Sequence, residues 1–428
     1  QLNWIIFLVL TVGLSIVSSA RAQNSKPADS ANIIDQKTQT QSYNIWNSKR
    51  ATGNWGGLRS NMENSGVRLS LSYQSQYQQN FRGGLDTHNG HRFSGSYDLA
   101  LEFDFEKMGL IQGGSFYFKV KGNYSDGINP DKVGALNNTN ADAVDDLPIY
   151  VRKWWYRQNL FDDKIELRLG RFTTRKGIVD VGIYARHEDI DFLNISSIRN
   201  TTIPHRNGIG AVFVVRPVDW LYFTSAAVDA NARRTRTGFD SAFHDDPGYV
   251  GYWELGFTPQ WETAKGLMPG KYRIGWWYDS TSKSIFRNDR IRSGDLGIYI
   301  GLDQMIYKEN NDPSDSQGLG VFARYGHASR DVNRISDYWQ VGASYQGLVP
   351  SLDQDVFGFS VSQSILSREF RNHVNQDADQ ETVYEWYYRW NLTPWLNISP
   401  NLQVITNPGG NKGERNALVG GVRIQAVF

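Results

Sequence analysis

The stretch NALVGGVRIQAVF, residues 416–428, poses the question that decides the fold. Its alternate residues Leu418, Gly420, Val422, Ile424, Ala426 and Phe428 avoid water, while Arg423 and Gln425 between them prefer it. A side-chain period of two is that of a β-strand with one apolar face. The pattern runs to Phe428 without a tail, so the strand is expected to find partners on both of its edges. A closed barrel provides this, because its last strand pairs with its first.

The alternation recurs in VRLSLSYQSQ (67–76), SFYFKVKGN (115–123), YWELGFTPQ (252–260), DLGIYIGLDQ (295–304), YWQVGASYQG (338–347) and VYEWYYRWNL (383–392). Fainter versions occupy 92–105, 149–160, 165–172, 208–215, 220–229, 271–279, 318–328, 355–365 and 395–404. With the terminal stretch the expected total is about 16 strands. The connections 107–113, 162–164, 216–219, 347–353 and 393–394 are short, whereas 126–148, 178–207, 233–250 and 367–381 are long. The links at 309–317 and 330–333 blur this trend. Short turns at one end and longer loops at the other are expected of an outer-membrane barrel, with the short turns in the periplasm. The fold expected is therefore all-β: a transmembrane antiparallel β-barrel.

Composition agrees. Mean hydropathy is −0.50, which in most chains indicates a water-soluble protein, but a barrel whose strands alternate between lipid and water cancels in any such average. The 45 basic and 44 acidic residues nearly balance and give no electrostatic case for nucleic acid. Absence of Cys excludes disulfides and thiolate metal sites. Residues 4–17 form an apolar run followed by Ala20-Arg21-Ala22, which reads as a signal peptide (1–22) cleaved after Ala22. The run falls short of the roughly 18 apolar residues of a spanning helix, which disfavours a membrane anchor. No basic residue precedes it, a departure from the usual leader. Residues 23–50 then form a polar segment expected to be flexible, with little to bury in 23–41.

Taking the more polar parity of each strand as lumen-facing puts Arg68, Asp98, Glu102, Asp104, Lys119, Lys121, Glu166, Arg168, Glu254, Arg273, Asp303, Arg324, Glu385, Arg389 and Arg423 inside. Both signs are interspersed. A single-sign ring would suit an ion; a mixed lining suits a neutral, hydroxyl-rich solute, since carboxylates accept from hydroxyls and guanidinium groups donate to them. Pairing of these charges across the wall is the alternative. Arg171, Arg175 and Lys176 follow a strand, and IYARHEDIDFLNISSIRN (183–200) is too long for a tight connection. It is expected to fold into the lumen as a constriction, with a plain external loop as the alternative. Arg168, Arg171, Glu188, Asp189 and Asn194 are then the candidates at the narrowest point, and Glu102, Lys119, Lys121, Arg324 and Arg389 complete the candidate lining.

The stretch TGNWGGLRSNMENSGVRLSLSY (52–73) resembles the N-terminal signature of the carbohydrate-selective porins of the OprB family: a T-G-x-W-G-G-x-R run, a short helix, then the first strand. LRLGRFTTRKG (167–177) and FLN (192–194) extend the resemblance, which covers about 51–428. It implies a signature turn and helix over 51–66, a barrel over 67–428, and passage of small neutral sugars through the outer membrane. Its partners are then sugars and outer-membrane lipids; monomer and homotrimer stay equally open. No cofactor is expected. At Lys153 and Arg157 acids are commoner in the family, which bears on the choice of sugar.

Other motifs carry little. His88 and His91 sit in a Gly-rich loop with no third metal ligand nearby, GLMPGK (266–271) lacks the spacing of a phosphate loop, and no G-x-S-x-G occurs. An exported all-β carbohydrate-active enzyme would share the aromatic and acidic residues, but not the apolar outer face of every strand. A non-conducting sugar-binding barrel differs only in a blocked lumen. The residues before Val67, including GLRSNMENSG, are expected either to enter the lumen or to cap its periplasmic mouth.

Overall fold

The computed structural model describes residues 44–143, 148–174, 177–186, 190–232, 236–238, 248–312, 315–374 and 377–428. The expected signal peptide and most of the polar segment after it lie outside this set, as do Glu188 and Asp189. The strands are β1 (Val67–Arg82), β2 (His91–Asp104), β3 (Gly114–Tyr124), β4 (Tyr150–Leu160), β5 (Ile165–Thr173), β6 (Asn207–Val218), β7 (Leu221–Asp229), β8 (Tyr249–Phe257) and β9 (Gln260–Thr263). They continue with β10 (Gly266–Ser284), β11 (Ile291–Lys308), β12 (Gly318–Ala328), β13 (Ile335–Gln346), β14 (Val356–Leu366), β15 (Gln380–Thr393), β16 (Leu396–Thr406) and β17 (Ala417–Val427).

All belong to one antiparallel sheet of 17 strands that closes on itself, because β1 pairs with both β2 and β17. The short β9 pairs only with the first residues of β10, so the wall has 16 strands, as expected. Closure uses the terminal stretch: Tyr77 faces Val422 across the seam, and the Phe428 N–H donates to the Leu71 carbonyl at 2.9 Å. Among the described residues no strand edge of the wall remains open, which is what lets a sheet sit in hydrocarbon.

The alternation read from the sequence is obeyed. Leu255, Ile274, Ile298, Ile300, Leu302, Val422 and Ile424 are exposed on the outer face, while Glu254, Arg273, Asp303 and Arg423 on the opposite parity are buried inside. Short turns join β4 to β5, β6 to β7 and β15 to β16, while the connections after β3, β5 and β7 at the other end are long. At the short-turn end the helix Leu58–Asn64 and the residues before it run along the rim. The Ala51 N–H donates to Val427 O at 2.9 Å, the Trp395 indole to Ile45 O at 2.7 Å, and Arg50 pairs with Glu63 at 2.9 Å. These contacts tie the segment to the rim formed by β1, β16 and β17.

Apolar packing lies mostly where loops meet the inner wall. Phe192 stacks edge-on against Phe322 and Tyr387, with Ala141, Ala185 and Ile198 around it. A second cluster joins Ile128, Val133 and Ala135 to Val383, Ile405 and Val419. Burying these side chains offsets the entropy of ordering long loops inside a polar lumen.

Candidate functional site

The loop after β5 turns back into the lumen at once, since the Gly177 carbonyl accepts from Arg168 at 3.3 Å. From there it crosses to the far wall and is held by polar side chains spaced along it. The Asp180 carboxylate takes Arg273 at 3.2 Å and stands 3.6 Å from Arg324, while its own N–H donates to Glu254 at 2.7 Å. Asp303 binds Arg273 at 2.6 Å and accepts the Ile183 and Tyr184 N–H groups at 2.9 and 3.2 Å. Arg324 donates to the Ala185 carbonyl and, at 3.3 Å, to Gln340. Glu385 accepts the Leu193 N–H at 2.6 Å and the Asn194 N–H at 3.1 Å. Arg389 and Arg423 cap the Ile190 and Asp191 carbonyls, each at 3.0 Å. Buried charges are tolerated here because each is hydrogen-bonded, and Asp180, Arg273 and Asp303 are ion-paired as well.

Within the loop, Arg186 and Asp191 close an ion pair at 3.0 Å. Burial alone would raise the Asp191 carboxyl, but Arg186 and Arg389 hold it below the ordinary Asp range, so the pair is ionised at neutral pH. The Asn194 side chain accepts from Ser196 N at 2.9 Å, capping the short helix Ile195–Ile198, and donates to Gln403 at 3.1 Å.

A second lumenal segment, 135–143, covers the upper part of β1–β3. Lys121 pairs with Asp142 at 2.5 Å, Asn140 donates to Ser94 at 3.1 Å, and Glu381 accepts from Leu136 N and Asn137 N at 2.5 and 3.0 Å. The two segments meet through Ala141 N to Leu193 O, 2.8 Å, and Ile195 N to Asn138 O, 3.0 Å.

This arrangement covers the two sides of the inner wall unequally. Inward residues of β11–β17 are covered, with Asp303, Gln340, Ser362, Glu385 and Gln403 at 0% exposure. Inward residues on the lower part of β2–β5 are half-buried instead: Glu102, Tyr117, Lys119, Lys153, Trp155, Arg157 and Arg168. Tyr117 and Trp155 lie opposite each other in register and stack with centroids 5.0 Å apart, and Arg157 sits 5.7 Å from the Trp155 ring. Above the loop is a cavity of about 420 Å³ lined by Asn137, Arg152, Thr173, Ile195, Arg199, Thr201, Ile203, His205, Asn207 and Ile335. Because β4–β6 and β13 stand on opposite sides of the barrel, this cavity spans the lumen on the long-loop side.

The candidates from sequence divide accordingly. Glu102, Lys119 and Arg168 fall on the half-buried band. Lys121, Asn194, Arg324 and Arg389 are engaged in holding the lumenal segments. Arg171 pairs in register with Trp154 and Ile209, on the wall face opposite to that of Arg168, and donates to Gly238 O at 3.4 Å. The reading that grouped Arg168 with Arg171 ignored that a spacing of three reverses the face of a strand. Sequence reasoning did not single out Tyr117 and Trp155; their place on the inward parity was the available signal.

Comparison with known proteins follows the same line. The family model described as carbohydrate-selective porin, OprB family, matches residues 88–428, beginning after the signature stretch at 52–73. Porin B of Pseudomonas aeruginosa is 26% identical over 432 aligned residues, covering 89% of this chain and 92% of that protein. The high-pH structure of Pseudomonas putida OprB superposes with a TM-score of 0.78 at 21% identity, over 89% of this chain and 99% of that one. The low-pH structure of the same protein gives 0.56 over the same shares.

Proposed function

The chain belongs to the OprB family of carbohydrate-selective porins, barrels of the Gram-negative outer membrane, and from that membership we propose that it mediates passive diffusion of small neutral, glucose-like carbohydrates into the periplasm. It does so without cofactor or energy input of its own. The observation that supports this most is the half-buried band on β2–β5, where a stacked aromatic pair adjoins carboxylate and cationic groups beside a loop that narrows the lumen.

A monosaccharide has hydroxyls around its edge and a C–H-rich face. Glu102 accepts from hydroxyls; Lys119, Lys153, Arg157 and Arg168 donate to them; the Tyr117–Trp155 pair packs against the apolar face. Each water hydrogen bond shed by the solute is replaced at the wall, so neutral sugars pass with little desolvation cost. Release requires that binding stay weak, which half-exposed groups in contact with water provide. Lys121, Asn194, Arg324 and Arg389 act indirectly, by fixing the loops that set the width.

The test is uptake of labelled glucose by liposomes carrying the refolded full chain, compared with a trisaccharide and with empty liposomes. Entry of glucose well ahead of the trisaccharide is the expected result. No entry above empty liposomes, with the barrel shown to be folded, overturns the transport reading and leaves a closed sugar-binding barrel.

A further inference from the structure

We infer that a groove in the outer wall across β11–β13, with the charged residues at its outer end, docks one molecule of the phosphorylated glycolipid of the outer leaflet, an acyl chain in the groove and a phosphate on Arg330. The register builds this surface row by row on the lipid-facing parity. Leu302, Ala323 and Val341 are cross-strand neighbours, and the small Ala323 between two larger side chains leaves a depression. Ile300, Tyr325 and Trp339 form the next row, and Ile298, His327 and Asp337 the one after. The surface thus passes from aliphatic to aromatic to charged. The first two rows line a groove of about 560 Å³, room for one acyl chain. The charged row lies where β12 and β13 join, at the same end of the barrel as the long connections after β3, β5 and β7. That is the outer end, since the short turns are periplasmic.

A carboxylate on the lipid-facing parity is costly at mid-membrane and tolerated at the level of the headgroups, so Asp337 marks where that level lies. It is satisfied in place: the Tyr325 hydroxyl donates to it at 3.0 Å and the Ser336 hydroxyl at 2.8 Å, and His327 Nδ1 stands 2.8 Å away. Arg330 approaches it only to 3.7 Å, with 60% of its side chain exposed. The planar guanidinium fork of such an arginine matches a phosphate. Asp331, in the same connection, is engaged by Arg292 at 3.3 Å. Tyr325 joins the two halves of the surface, lining the groove with its ring and bonding the charged row with its hydroxyl. An unphosphorylated lipid satisfies only the groove, and a soluble anion only the arginine. The position at the outer end selects the lipid of that leaflet, and the inference does not depend on which solute the barrel passes.

The experiment titrates the full chain, folded and delipidated in detergent, with lipid A, dephosphorylated lipid A and phosphatidylglycerol, and counts bound lipid by native mass spectrometry. One lipid A per barrel is expected, retained several-fold better than either of the others. Arg330→Gln, and Ala323→Phe, which fills the groove from a lipid-facing position, are expected to lower lipid A occupancy several-fold. Each is checked for a folded barrel by its heat-dependent gel mobility, and if one fails to fold the other decides. Arg287→Gln, at an arginine 74% exposed on the connection after β10, is expected to leave occupancy unchanged. Equal retention of dephosphorylated lipid A shows that no phosphate is read, and equal retention of phosphatidylglycerol that the glycolipid is not preferred; either overturns the assignment. So do the absence of bound lipid A, occupancy unmoved in the folded variants, an equal loss in Arg287→Gln, and pairing of two barrels through this face in place of lipid.

Discussion

Asp180→Asn tests whether the lumenal loop sets the width of the passage. The substitution keeps the side-chain shape and the tolerance for the left-handed backbone at this position, φ 53°, and removes the charge. Asp180 accepts two nitrogens of Arg273 at 3.2 Å and the Asn200 N–H at 3.3 Å, and lies 3.6 Å from Arg324. Removing one partner of a buried ion pair costs about 3–5 kcal/mol when nothing replaces it. Here Arg273 keeps Asp303 at 2.6 Å, and the amide oxygen still accepts, so the loss is on the order of 2 kcal/mol. That moves the equilibrium between the seated and released loop roughly thirtyfold toward release. The wall is unaffected, because its ladder does not involve Asp180. Single-channel recording in planar bilayers is then expected to show frequent excursions to a larger conductance, and trisaccharide uptake is expected to rise. An unchanged conductance trace with an unchanged size limit refutes the view that this network holds the constriction. Asp86→Asn is the control: its pair with Lys132 at 2.6 Å lies at the exposed end of the barrel, and its loss is expected to leave the trace as it was.

Trp155→Ala removes one ring of the stacked pair 5.0 Å from Tyr117, and is expected to lower glucose uptake proportionally more than ion conductance, measured on the same protein. Gly320→Ala places a methyl group where the Tyr184 ring packs against β12; the loop must shift, and the expected outcome is an unsteady conductance with normal refolding of the barrel. Ile300→Arg puts a charge on the outer face, where Ile300 is 52% exposed; at mid-membrane depth it is expected to cost about 2–4 kcal/mol in a denaturant titration of folding into lipid vesicles. Equal stability of Ile300→Arg and the parent contradicts the assignment of this face to lipid.

The sequence by itself determined the wall. A period of two needs only neighbouring residues to be read, and sixteen such runs with alternating short and long links leave few arrangements other than a closed barrel. The inward set followed from parity: Glu254, Arg273, Asp303, Glu385 and Arg423 are all inside. Where parity was set aside, at Arg171, the reading failed. What only the tertiary structure decided is which inward charges anchor the loops and which stay partly exposed. Arg324 binds Ala185 and Glu385 binds Leu193, pairs far apart in the chain, and no local pattern says how far a loop reaches across a lumen. Mixed charge reads identically whether it lines water or anchors a backbone; the difference is desolvation, and desolvation depends on what the fold places on top. Lys119 and Lys121 show it most plainly. They share one face of one strand, yet Lys121 is buried beneath Asp142 while Lys119, one pleat lower, stays partly exposed beside Asp98.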